Sequence, residues 1–130
     1  LIKKETQLGV FDFKTYYELM ELWTKQKLKI FENVSEIKSN NGHVIAVGAA
    51  AKGNTLLTFC GFDNSLIECV TDSSKYKQGK YTPLTRIPIC GDEVFSQYNN
   101  PYALILSWNI SEQIKIILKN INKSIIFLEV

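Results

Sequence analysis

Residues 43–60, HVIAVGAAAKGNTLLTFC, constrain the fold more than any other stretch of this chain. A short apolar run rich in β-branched residues leads through small residues and two glycines into sequence that can form a helix. This order is typical of a strand, a tight turn and a helix. The glycine spacing, Gly48-x-Ala50-x-x-Gly53, is the dinucleotide-binding fingerprint with alanine in its middle position. We therefore expect a low-walled corner at which a polar ligand can approach a helix N-terminus.

Asp72 strengthens this interpretation, because it closes the next apolar run about twenty residues after the glycines, as the fingerprint requires. Any α/β sheet also needs small residues at its first strand-to-helix turn, so the pattern fits a purely structural corner as well. Residues 48–55 also resemble a phosphate-binding P-loop, but Asn54 stands where that loop needs lysine. Nucleoside triphosphate hydrolysis is accordingly disfavoured.

The remaining apolar runs predict an α/β fold. A three-four spacing of apolar residues indicates a long helix over about 12–41, capped by Asp12 and stopped by residues 40–42. Residues 1–10 are expected to be irregular. Further segments predict strands at 66–71, 87–89, 103–107 and 124–128, and helices at 55–60 and from Ser111 to about 120. Together they predict one Rossmann-like αβα sandwich over 1–130, with a mostly parallel sheet of four to five strands in a core at about 43–130.

A polar segment, residues 72–86, follows the second strand and mixes basic side chains with tyrosines. Such a mixture suits an anionic ligand with a flat ring, and it equally suits a solvated loop. Its predicted position beside the glycine turn is where open α/β sheets bind ligands. Trp108 and Asn109 end a later strand and are expected at the same edge.

Composition narrows the class of protein. The chain has 130 residues, a formal net charge of +2 and no apolar run of membrane-spanning length, so neither a nucleic-acid partner nor a membrane partner is expected. Three scattered cysteines favour reduced, buried thiols and a cytoplasmic protein. His43 is the sole histidine and is expected at the start of its strand, away from a parallel-sheet site. No spacing indicates a metal cluster or a catalytic triad.

Four motifs, in this order, resemble the C-terminal domain of S-adenosylmethionine-dependent sugar C-methyltransferases, which methylate a nucleotide-linked deoxysugar. The motifs are GAAAKGNTLL at 48–57, YKQGKYTP at 76–83, IPI at 87–89 and SWN at 107–109. The resemblance runs from the long helix to the last strand. One departure is Leu84-Thr85-Arg86, where the family leads us to expect a glycine and often a histidine nearby.

The resemblance implies that this chain is one part of a larger enzyme. An N-terminal zinc-binding region and a middle domain holding S-adenosylmethionine and the catalytic base would precede it, so the chain itself would bind neither cofactor and supply no catalytic residue. Its partners would be the nucleotide sugar and that upstream domain. A first residue other than methionine is consistent with a segment of a longer protein.

Under this hypothesis the substrate is held between two walls. The expected substrate-binding residues are Gly48, Ala50, Ala51, Lys52, Gly53, Asn54, Thr55, Asp72, Lys77, Tyr81, Thr82, Trp108 and Asn109. Two other functions remain open at this point: an independent dinucleotide-binding domain with Asp72 on a ribose hydroxyl, and a structural module whose long helix docks a catalytic domain. RNA binding is a weaker alternative because the net charge is close to neutral.

Overall fold

Five parallel strands form the sheet of this protein, described here from a computed structural model that covers residues 1–128. The strands are β1 (Val44–Val47), β2 (Val70–Thr71), β3 (Ile89–Cys90), β4 (Tyr102–Ile105) and β5 (Ile126–Leu128). Their spatial order is β3-β2-β1-β4-β5, and every pair is parallel. This is the order of the doubly wound fold, which reverses direction between β1 and β4. The predicted fold class is confirmed.

Helices cover both faces of this sheet, because alternate residues of β1 enter different cores. Val44 and Ala46 pack in one buried cluster with residues of α2 (Phe13–Ser39) and α3 (Ala51–Cys60). Ile45 and Val47 pack in a second cluster with residues of a 3₁₀ helix (Asp92–Gln97) and of α4 (Ser111–Ile121). The period-two alternation of a strand thus creates the three layers.

The long helix forms as its apolar spacing predicts. Asp12 caps α2, and its carboxylate accepts a hydrogen bond from the N–H of Lys14 at 3.1 Å. The helix ends at Ser39, followed by Asn41 with a left-handed φ of 58°. At 1.5 Å per residue its 27 residues extend about 40 Å. Only Ile30 and Val34 of this helix are buried, so just its second half covers the sheet.

Several predicted boundaries are wrong. Residues 1–10 are not irregular: α1 (Ile2–Gln7) is a short helix with no buried residue. The second strand has two residues rather than six, because the N–H groups of Leu66 and Ile67 bond to Asp63 in a turn. Helix α3 starts at Ala51 and not at residue 55, which places Gly53 inside the helix.

Two smaller corrections concern the second half of the chain. Ser111 does not cap α4; the N-cap is Ile110, the last residue of a short 3₁₀ helix (Trp108–Ile110). The fourth strand lies one to two residues earlier than expected, and the last strand begins at Ile126.

The cysteines are free thiols as predicted, with Cys60 and Cys69 buried and Cys90 half-buried. No helix among residues 1–128 is long and apolar enough to cross a membrane.

Candidate functional site

The corner after β1 is built from close backbone approaches. Gly48 has a φ of 102°, and a Cβ atom there would lie 2.2 Å from the hydroxyl oxygen of Ser107. A Cβ on Gly53 would lie 2.6 Å from the carbonyl oxygen of Gly48 and 3.0 Å from the side chain of Leu106. Both positions therefore require glycine, Gly48 for its backbone conformation and Gly53 for space. The fingerprint glycines hold α3 against the end of β1.

The 72–86 loop is fastened to this corner by one lysine. The ammonium of Lys77 donates to the carbonyl oxygen of Ala49 at 2.9 Å and to the carboxylate of Asp72 at 2.8 Å. The other carboxylate oxygen of Asp72 accepts from the N–H of Ser74 at 2.9 Å. The predicted neighbourhood of loop and glycine corner is thus present. One of the three N–H donors of Lys77 thus binds within the loop and a second binds the glycine corner.

Asp72 is held in its ionised form. Burial of this carboxyl opposes ionisation, but the bonds from Lys77 and Ser74, together with the Lys77 charge, outweigh it and lower its pKa. Its side chain is only 12% exposed. A carboxylate that is nearly buried and already paired with a lysine has little capacity left for a ribose hydroxyl.

A cavity of about 380 Å³ lies between α3 and the far part of the loop. Its lining residues are Asn54, Thr55, Thr58, Phe59, Pro83 and Leu84. The side-chain oxygen of Asn54 is buried and has no hydrogen-bond partner among residues 1–128. Buried acceptors nearly always have a donor. A rotation of the Asn54 side chain that turns this oxygen toward the cavity would let a hydroxyl or N–H group of a ligand bind it.

The loop residues 81–86 border a second cavity. Pro83 and Leu84, which line the first cavity, also line this one of about 360 Å³, together with Tyr81, Thr82 and Arg86. Thr82 is 2% exposed, and its hydroxyl bonds Thr85 and accepts from the N–H of Ile87. It therefore supports the loop from inside, whereas Tyr81 is 67% exposed.

The departure from the family pattern at residues 84–86 coincides with unusual backbone. Leu84 and Arg86 have φ values of 64° and 51°. This left-handed region is costly for residues with a Cβ and natural for glycine. A glycine in this segment would therefore suit the loop conformation, and Leu84 instead adds an exposed apolar side chain to both cavities.

The remaining predicted residues flank the N-terminus of α3. Ala50 is its N-cap, and Ala51 and Lys52 form its exposed first turn. The Lys52 ammonium lies 5.8 Å from the ring centroid of Trp108, close enough for a cation–π contact. Asn109 is exposed in the neighbouring 3₁₀ helix. His43 lies at the opposite edge of the sheet, bonded to Glu68 at 3.0 Å.

Sequence reasoning missed several residues of this edge. Thr58 and Phe59 line the first cavity because they follow Thr55 by three and four positions on α3, a helical relation that the spacing could have revealed. Trp23 lines a further groove with Lys52 and Trp108, yet it comes from the distant helix α2, and no local signal places it there. Among residues 1–128, no His, Cys, Asp and Glu side chains cluster closely enough to hold a metal ion.

Comparison with known proteins decides the family. The family model described as the C-methyltransferase C-terminal domain matches residues 1–125. The chain belongs to this family. It is also 30% identical over 114 residues to the C-methyltransferase NovU of Streptomyces niveus, an alignment that covers 88% of this chain. The alignment spans 27% of the length of that relative, so this chain corresponds to one domain of a longer methyltransferase.

Proposed function

We propose that this chain is the substrate-side domain of an S-adenosylmethionine-dependent C-methyltransferase acting on a nucleotide-linked deoxysugar. The unpartnered, buried acceptor of Asn54 at the wall of a cavity beside the glycine corner is the observation on which the proposal depends. A sugar is rich in hydroxyl donors that such an acceptor requires. S-adenosylmethionine, bound elsewhere in the full enzyme, supplies the methyl group.

The domain's own residues would bind and orient the sugar nucleotide. Thr55 and Asn54 offer polar groups from α3, and the exposed Lys52 places a positive charge at the helix N-terminus, where a diphosphate is favoured. Lys77 retains one donor beyond its bonds to Ala49 and Asp72. Such positioning lowers the barrier of the reaction without any proton or methyl transfer by this domain.

The dinucleotide-binding alternative is less well supported. Its defining contact is a carboxylate after β2 on the ribose hydroxyls. Asp72 occupies that position, but it is 12% exposed and paired with Lys77. Tight NAD binding by the full enzyme, with no binding of a nucleotide sugar, would favour that alternative over our proposal.

The test is the Asn54→Ala variant in the full-length enzyme. Loss of one hydrogen bond to the substrate, worth about 0.7 to 1.4 kcal/mol, should raise the KM for the nucleotide sugar about three- to tenfold. The contact is made equally before and during methyl transfer, so kcat should change little. Steady-state kinetics with the nucleotide sugar as varied substrate measures both.

Asn120→Ala is the matched control, because Asn120 is exposed on α4. It should leave both constants unchanged, and the KM for the methyl donor should be constant in both variants. An unchanged sugar KM in Asn54→Ala, in an enzyme of wild-type thermal stability, contradicts the proposed site.

A further inference from the structure

The first half of α2 carries an apolar stripe whose side chains are about half or more exposed in the structure of residues 1–128. We name its members, Phe13, Tyr16, Met20 and Trp23, the exposed stripe. Their exposed fractions are 82%, 50%, 70% and 49%. More than half of the large apolar side chains that are exposed between residues 1 and 128 lie before residue 32. Apolar surface of this extent on one element marks an interaction surface.

The exposed stripe is the continuation of the helix face that packs on the sheet. Its positions follow one another at intervals of three and four, and the same alternation continues through Lys27 to the buried Ile30 and Val34. Residues with this spacing share one side of a helix. The helix therefore has one packing face along its length, interrupted by Lys27, and the sheet covers only the second half of it.

This face joins the edge of the sheet where the candidate site lies. Trp23 lines a strongly apolar groove of about 310 Å³ with Leu56, Phe59 and Trp108, and with Lys52 and Thr55 at its side. The Lys27 ammonium lies 4.9 Å from the ring centroid of Phe59 and marks the beginning of the covered half. A protein domain that packs on the exposed stripe would thus also border the glycine corner.

The shape of the surface indicates its occupant. Tyr17 and Leu19, on either side of the stripe, are exposed as well, at 56% and 46%. The apolar surface is therefore broader than the narrow seam by which two identical helices form a coiled coil. Lys27 would also place a charge at a seam position of such a dimer, which costs stability. A folded domain fits this surface better than a second copy of α2.

In this family, the preceding part of the methyltransferase is such a domain. This chain is a C-terminal domain, and the methyltransferase relative that it matches is almost four times as long as the aligned region. The rest of a C-methyltransferase precedes its C-terminal domain, so it is joined at the end where α1 leads into α2. We infer that the exposed stripe and the Trp23 groove dock the preceding part of the full-length enzyme and hold it against the candidate site.

Hydroxyl-radical footprinting of the full-length enzyme tests this inference. Met20 and Trp23 have reactive side chains that are 70% and 49% exposed in this domain by itself. In the full enzyme they should be oxidised several-fold more slowly than their exposure here implies, whereas Tyr76, which is 87% exposed on the 72–86 loop, reports the unprotected rate. Oxidation of Met20 and Trp23 at a rate expected for open side chains overturns the inference.

A charge substitution provides the second arm. Met20→Glu should leave the fold of this domain intact, because Met20 is 70% exposed, but it should restore fast oxidation of Trp23 in the full enzyme. Ile116→Glu is the matched control, with 66% exposure on α4, and should change nothing at Trp23. Equal Trp23 protection in both variants overturns the inference.

Dilution distinguishes docking of the preceding part of the same chain from association of two copies. Protection that persists where light scattering finds a monomer supports docking within one chain. Protection that appears only as two copies associate assigns the surface to a dimer and overturns the inference. The nucleotide-sugar test at Asn54 is independent of these results, since failure of one leaves the other unaffected.

Discussion

At the scale of single residues, two glycines determine how closely helix and sheet approach at the corner. Gly53 is buried within α3, with the carbonyl oxygen of Gly48 and the side chain of Leu106 directly beside it. Gly61, at the other end of α3, has open space around it and is needed only for its left-handed φ of 73°. The same residue type thus serves packing at one end and backbone conformation at the other.

Gly53→Ala should lower the free energy of unfolding by about 1 to 3 kcal/mol, because the added methyl group meets backbone that cannot move aside. This loss must exceed the gain that alanine normally brings inside a helix. Gly61→Ala should cost about 1 kcal/mol through its backbone alone. Urea denaturation of the three proteins measures the difference, and a Gly53→Ala protein as stable as the wild type would refute the close approach.

At the scale of elements, the 72–86 loop is held by contacts of its middle residues. Lys77 connects it to Ala49 and Asp72, and the backbone of Gly79 and Lys80 bonds to Ile89 in β3 at 2.9 and 2.8 Å. Polar contacts thus hold the loop against the sheet edge. Its mixture of lysines and tyrosines suited an anionic ligand and a solvated loop equally. In the structure, Lys77 bonds to Asp72 within the loop and to Ala49 in the glycine corner.

Lys77→Met should lower the free energy of unfolding by about 1 kcal/mol at neutral pH, a modest value because Lys77 is 42% exposed. The folded-state pKa of Asp72 lies below its ordinary value of 3.8, so this stability is present above that pH and is lost as pH falls through the lowered pKa. The difference between wild type and variant should therefore shrink below about pH 4. Denaturation at a series of pH values measures it.

Lys115→Met removes an exposed pair with Glu112 on α4 and serves as the control. Its effect should remain within about 0.5 kcal/mol at every pH. A wild-type-to-Lys77→Met difference that grows in acid would show that the Asp72 pair does not stabilise the folded loop.

At the scale of the whole molecule, the packed core and the apolar surface lie in different parts of the chain. Both buried clusters draw on residues from Ile30 onward. Before Ile30, the structure has no buried residue. The sheet and its two helical layers therefore depend little on α1 and on the first half of α2.

Two leucine substitutions compare how much the core and the first half of α2 contribute to the free energy of unfolding. Leu57→Ala removes a fully buried side chain of α3 and should cost about 2 to 5 kcal/mol. Leu22→Ala, at 52% exposure in α2, should cost less than about 1 kcal/mol in the chain described here. Comparable losses from both substitutions would contradict the division, and thermal or urea denaturation is sufficient to decide.

The sequence alone determined the parallel α/β class, the long helix and the glycine corner, because each depends on short-range spacing: β-branched runs, three-four periodicity and small residues at a turn. Element ends were less predictable. Ile67 is fully buried and apolar like a strand residue, yet its N–H belongs to a turn, and apolarity does not distinguish the two. Helix α1 formed where charge had suggested irregular chain.

Only the tertiary structure decided how the side chains at the sheet edge are used. Lys77 bonds to Ala49, and Trp23 lines a groove with Trp108, although the residues of each pair are far apart in sequence. The packing of the assembled fold also leaves the side-chain oxygen of Asn54 without a partner among residues 1–128. Local patterns carry no information on which distant groups meet, since that follows from how strands cross and helices pack. The same patterns predicted a candidate site at the edge where the glycine corner and the 72–86 loop meet, but the partners of each polar group there depend on the assembled fold.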